Sequence, residues 1–114
     1  MRILLVSNGY PPEAAAGVEL HTQHLAQALA GAHAVAVFCR EGDPRAPEFR
    51  LRRTAGDVPV WRVNFNFVEA SAYAGYYRRP ESEALFRQVV AEWRPDVIHF
   101  QHCLGLSAQS FLFL

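Results

Sequence analysis

The run Ile3-Leu4-Leu5-Val6, halted at once by Ser7-Asn8-Gly9, constrains this chain more than any other feature. Successive apolar residues leave no polar face, so a run this short, closed by turn-forming residues, reads as a strand buried on both sides. Such strands belong to parallel sheets covered by helices. The loop that follows, through Tyr10-Pro11-Pro12 to Gly17-Val18-Glu19, then lies beyond the carboxyl end of a strand, where open α/β sheets bind their ligands. It is the first place to look for chemistry.

The rest of the chain repeats the alternation. Val18, Thr22, Leu25 and Leu29 recur at helical spacing and predict a helix over Val18–Ala30, with Gly31 as a left-handed cap. Ala34–Cys39 is a second buried strand, joined to the first by a right-handed crossover. Arg40–Asp57 is polar, holds Pro44 and Pro47, and reads as an irregular excursion. Val58–Phe67 is a third strand, nearer an edge because Pro59 cannot donate to a ladder. Val68–Arg79 reads as an aromatic loop. Pro80 opens a second helix, with Glu81 and Glu83 at its positive end and Leu85, Phe86, Val89, Val90 and Trp93 as its apolar face. Pro95 ends that helix, Asp96–Phe100 is a fourth strand, and Gly105 begins a further helix. Alternating strands and helices define an α/β domain with a parallel sheet.

The length, 114 residues, suits one domain. Eleven arginines, with no lysine, balance eleven acidic residues, so no net charge calls for nucleic acid as a partner. No apolar run approaches the roughly 18 residues that span a bilayer. The opening lacks a signal-peptide pattern, and two cysteines make no disulfide framework. A reduced, cytoplasmic setting is expected. The arginine and aromatic clusters, Phe49–Arg53 and Tyr76–Arg79, read as solvated loop faces; phosphates, nucleic acid or peripheral contact with a membrane surface are the alternatives.

Two places can carry chemistry. The first loop lacks the Gly-x-Gly-x-x-Gly of a dinucleotide site, and its prolines predict an extended path rather than a tight turn. Gly17, after Ala14-Ala15-Ala16, lets backbone amides approach an anion at the helix N-terminus; the alternative is a plain small-residue helix start. The second place is His99-Phe100-Gln101-His102-Cys103. His99 and Gln101 share a strand face, whereas His102, past the strand, can reach the crevice for hydrogen bonding or proton transfer. His99 itself reads as structural. Neither His99, His102 and Cys103 nor His21 and His24 has metal-site spacing, so no metal is expected.

Together, Ile3–Val6 with Tyr10-Pro11-Pro12, Ala16-Gly17-Val18-Glu19, Leu25-Ala26, Leu29, the Val-Ala-Val-Phe strand and Arg94-Pro95-Asp96-Val97-Ile98-His99 resemble the N-terminal half of family 4 glycosyltransferases. The resemblance covers nearly the whole chain and is weakest across 40–80. It implies a GT-B architecture of two Rossmann-like domains, the N-terminal one mainly holding the acceptor and the C-terminal one the nucleotide-sugar donor. It also implies sugar transfer with retention of configuration, and no metal or other cofactor. Ala16, Gly17, Glu19 and His21 then fall on the substrate-binding loop, with Ala16 where the family usually has glycine. The family often places a second His two residues after the first, and Gln101 stands there. Either Gln101 or the adjacent His102 takes the catalytic position, and we favour His102. With residues 1–114 forming one acceptor-side domain and the apolar end Phe111–Leu114 cutting into an element, the expectation is a truncated chain, inactive alone. A non-catalytic α/β binding module or relic is the alternative. A nicotinamide-binding domain is disfavoured by the prolines of the first loop.

Overall fold

A computed structural model describes residues 1–66 and 80–102. The elements in order are β1 (Arg2–Ser7), α1 (Gly17–Ala30), β2 (Ala34–Glu41), β3 (Leu51–Thr54), β4 (Val60–Asn64), α2 (Pro80–Trp93) and β5 (Val97–Phe100). They form one five-stranded sheet in the order β3-β4-β2-β1-β5. Four strands are parallel, with Leu4 opposite both Ala36 and Ile98, and Phe38 opposite Trp61. β3 alone runs antiparallel, against β4. The sheet is therefore mixed at one edge.

Alternate residues of β1 face opposite layers. Ile3 and Leu5 join Val35, Val37 and Cys39 beneath α1, with Ala26, Leu25 and Leu29 above them. Leu4 and Val6 join Ala36, Phe38, Trp61 and Val63 beneath α2, where Phe86, Val89 and Trp93 close the other core. Helices on both faces explain why β1 and β2 are apolar runs with no polar alternation. Arg2 pins the amino end: its backbone N–H donates to Asp96 Oδ2 at 2.8 Å and its guanidinium to the Trp93 carbonyl.

The structure differs from the sequence reading at several points. Leu51–Thr54, inside the expected irregular excursion, is a strand. It puts β4 second from the edge, and Pro59 instead accepts from the Val37 amide at 2.9 Å. The polar residues of β4 do not face water: Arg62 and Asn64 are buried. Asn64 turns inward because its amide donates to the carbonyls of Asp43, Ala46 and Pro47, and its oxygen accepts from the Asp43 N–H. The buried stripe of α1 runs through Glu19, Thr22 and Ala26 rather than through Val18, which is exposed. Gly31 is right-handed, with φ −67°, so the cap needs no left-handed residue; Arg94, at φ 53°, ends α2 in that conformation instead. The prolines of the first loop do not extend it, since Ala14 N–H reaches back to the Tyr10 carbonyl and closes a turn. Two expectations, the loop over 68–79 with its Tyr76–Arg79 cluster and the helix from Gly105, lie outside the described residues. Among those described, no helix is long and apolar enough to cross a membrane.

Candidate functional site

From β1 the chain leads to β2 on one side, while β5 lies on the other. The carboxyl ends of β1 and β5 therefore flank the point where the strand order reverses, the crevice in which open α/β sheets bind ligands. Three segments meet there. β1 ends in Ser7-Asn8-Gly9. Past β5, the backbone N–H groups of Gln101 and His102 both point to the Val6 carbonyl, at 2.7 and 3.4 Å. The first turn of α1 closes from above, its Glu19 buried against Gly9. A Cβ on Gly9 would lie 2.8 Å from Ala14 Cβ and 3.2 Å from Glu19 Cγ, so a side chain there would force the Ala14 loop to shift and press on the first turn of α1.

The expected site residues divide by position. Ala16 precedes α1 in an extended conformation, with φ −86°, and offers no side-chain cap. Gly17 is the first helical residue and is exposed. His21 is exposed one turn further along α1. Glu19 faces the interior and adds a negative charge in the helix's first turn, where the macrodipole favours it. Gln101 is half-buried; its amide nitrogen lies 3.3 Å from the ring of exposed His99, on the strand face they share. His102 is exposed at the crevice.

Two polar groups that the sequence reading passed over lie at the carboxyl end of β1. The Ser7 hydroxyl and the Asn8 side-chain oxygen are buried and have no hydrogen-bond partner among the described residues. Burying an unpaired polar group costs about 1–3 kcal/mol. The signal was present in Ser7-Asn8, but those residues also suit a plain turn.

A second polar cluster supports the first loop from the side of β2. Buried Arg62 donates to the Pro11 carbonyl at 3.0 Å and to the Thr54 hydroxyl at 2.9 Å, and pairs with Glu13 at 2.9 Å. Arg52 joins Glu13 to Glu41, meeting the Glu41 carboxylate at 2.8 Å, and Arg50 reaches Glu41 at 3.3 Å. Burial by itself would raise the Glu41 pKa. The hydrogen bonds and charges of Arg52, then Arg50, outweigh it and hold the carboxyl below its ordinary range. The arginines of 50–52 are thus paired, not merely solvated. Glu13, Glu41, Arg50 and Arg52 of this cluster, with Gly42, Asp43 and Pro44, line an open cleft of about 420 Å3 at the carboxyl end of β2. Isolated charges spread over 13–62 give no local pattern, so only the fold brings them together.

The described residues thus form a five-stranded α/β sheet with helices on both faces and a polar cluster at the strand carboxyl ends. The family follows from the sequence: the chain belongs to the glycosyl transferase 4-like domain family, whose model matches residues 16–114. The fold agrees. The chain is similar to a sucrose-phosphate synthase from Thermosynechococcus elongatus, a GT-B glycosyltransferase, at a TM-score of 0.52 and 21% identity over 87% of this chain. It spans 26% of that protein's length. Comparison with curated proteins gives no significant match.

Proposed function

We propose that this domain is the acceptor-side wall of a retaining glycosyltransferase that moves a sugar from a nucleotide-sugar donor to an acceptor. The observation that carries the reading is the meeting of the α1 N-terminus, the partnerless Ser7 and Asn8 groups and the Gln101-His102 turn at one strand rim, in a chain of the glycosyl transferase 4-like family.

The roles follow from position. The Gly17 amide and its neighbours start an uncapped helix, where N–H groups and the macrodipole favour a phosphate oxygen. Gly17 presents no side chain in front of them. Ala16, with negative φ, holds the approach without strain, and exposed His21 is a hydrogen-bond donor one turn away. Glu19 fixes the helix against Gly9, and so sets the distance between these amides and the end of β1. His102 is the group we assign to the transferred sugar, as hydrogen-bond partner or proton carrier, and Gln101 orients the turn through Val6. No step requires a metal. Group transfer between two substrates needs both held and water excluded. One wall does neither, so the domain works with a donor-binding partner domain and is inactive alone.

The test joins residues 1–114 to the donor-binding domain of a family member and assays transfer from nucleotide-sugars. Transfer with unchanged anomeric configuration is expected, and His102→Ala should lower kcat about 100-fold. An inverted product would refute retention. Undiminished turnover by the variant would remove His102 from the site.

A further inference from the structure

The roles assigned above leave out Arg62, a buried arginine on β4 that reaches the first loop. We infer that Arg62 is the positioning residue of that loop: its guanidinium, with that of Arg52, clamps Pro11 and Glu13 and so sets where the chain enters α1. The inference rests on the reading of Gly17 and its neighbours as a ligand-binding helix start, and adds the group that holds them in place.

The loop has few handles of its own. Residues 10–16 join Gly9, packed against Ala14 and Glu19, to the first residue of α1. Pro11 and Pro12 carry no N–H, and the bond from the Ala14 N–H to the Tyr10 carbonyl stays within the loop. Among the described residues, the polar ties that reach the loop from the sheet come from β3 and β4. Arg62 Nη2 donates to the Pro11 carbonyl at 3.0 Å, Arg62 Nε meets Glu13 Oε1 at 2.9 Å, and Arg52 Nη2 binds the same Glu13 oxygen. Both arginines are anchored elsewhere too: Arg62 Nη1 donates to the Thr54 hydroxyl at 2.9 Å, and Arg52 holds Glu41 at 2.8 Å. A guanidinium is planar, with its N–H groups in fixed directions, so one that meets three acceptors fixes their places relative to each other. Pro11 and Glu13 are thereby referred to β4.

The fold alone does not call for this arginine. Arg62 pairs in register with Cys39 and shares a sheet face with Val60, and both neighbours belong to the core beneath α1. An apolar side chain at such a position often supports a fold as well as a buried ion pair does. It would leave the Pro11 carbonyl and Glu13 without this partner. The Tyr10 ring, at the start of the loop, lies 6.0 Å from the Arg62 guanidinium carbon and packs in the same core. What arginine adds at this position is a hold on the loop.

Backbone amide relaxation NMR of the 114-residue chain tests the clamp. In the native chain the order parameters at Glu13–Gly17 should match the value of about 0.85 typical of rigid backbone. Arg62→Lys keeps the charge but loses the fork. Glu13→Gln keeps the shape of an exposed side chain and removes the ion pairs. Each should lower these order parameters below about 0.6, while those of Leu4 and Val37 in the sheet stay unchanged and thermal melts show a folded chain. A residue that only stabilised the fold would move the melt and leave the folded loop as rigid as before. In the two-domain chimaera, Arg62→Lys should lower kcat/KM about tenfold. A loop that is mobile in the native chain, order parameters that neither variant changes, or full transfer by a chimaera whose loop has loosened would each overturn the inference. Should Arg62→Lys not fold, Glu13→Gln decides alone. The order parameters judge the clamp whether or not the chimaera transfers sugar, so the two readings fail separately.

Discussion

Gly9 and Gly17 border the same loop, but they are glycines for different reasons. Gly9 is required by packing, since a methyl group there would press on Ala14 and Glu19. Gly9→Ala should destabilise the fold by about 1–3 kcal/mol in urea unfolding. Gly17 has open space where a Cβ would go and lies in a helix. Gly17→Ala should therefore leave stability unchanged or raise it by about 0.5–1 kcal/mol, while impairing donor use in the two-domain enzyme. A Gly17→Ala protein that keeps full transfer activity would show that the helix start is small for no functional reason. The motif could not separate these two roles, because both glycines suit a turn and only the neighbours of each Cβ differ.

At the scale of elements, β1, β2 and both helices were legible in the sequence. Their apolar residues run continuously or at helical spacing because they cover two cores. The edge hairpin was not. Leu51-Arg52-Arg53-Thr54 has one apolar residue and reads as loop; it becomes a strand because Arg52 can bind Glu41 and Glu13 while its backbone pairs with Arg62. The burial of Asn64 and Arg62 had no local signal either, since their partners, Asp43, Ala46, Pro47, Pro11 and Glu13, are far away in sequence. The candidate site divides in the same way: Gly17, Gln101 and His102 could be picked out from motifs, but the Glu13–Arg52–Glu41 cluster could not. That cluster has a pH signature. The Glu41 carboxyl lies below its ordinary value of about 4.3 in the folded chain. Its contribution to stability is thus complete above that value and is lost as pH falls through the lower, folded-state pKa. Thermal melts should decline below about pH 4, and Glu41→Gln should be less stable at neutral pH with a flatter acid limb. Equal acid sensitivity in the two proteins would mean that the hairpin does not depend on this carboxylate.

For the whole molecule, the two layers and the order β3-β4-β2-β1-β5 place every proposed ligand contact on one rim. The opposite rim holds the Met1–His33 contact and the Arg2–Asp96 bond. The chain spans 26% of the sucrose-phosphate synthase whose fold it shares. The central claim is that this rim meets the nucleotide-sugar. Backbone amide NMR of the 114-residue chain, titrated with nucleotide-sugars to millimolar concentration, tests it most directly. The account predicts shifts gathered at Ser7–Gly9, Ala16–Glu19 and Gln101-His102. Shifts gathered instead around Met1, His33 and Asp96, or none at any concentration, would contradict it.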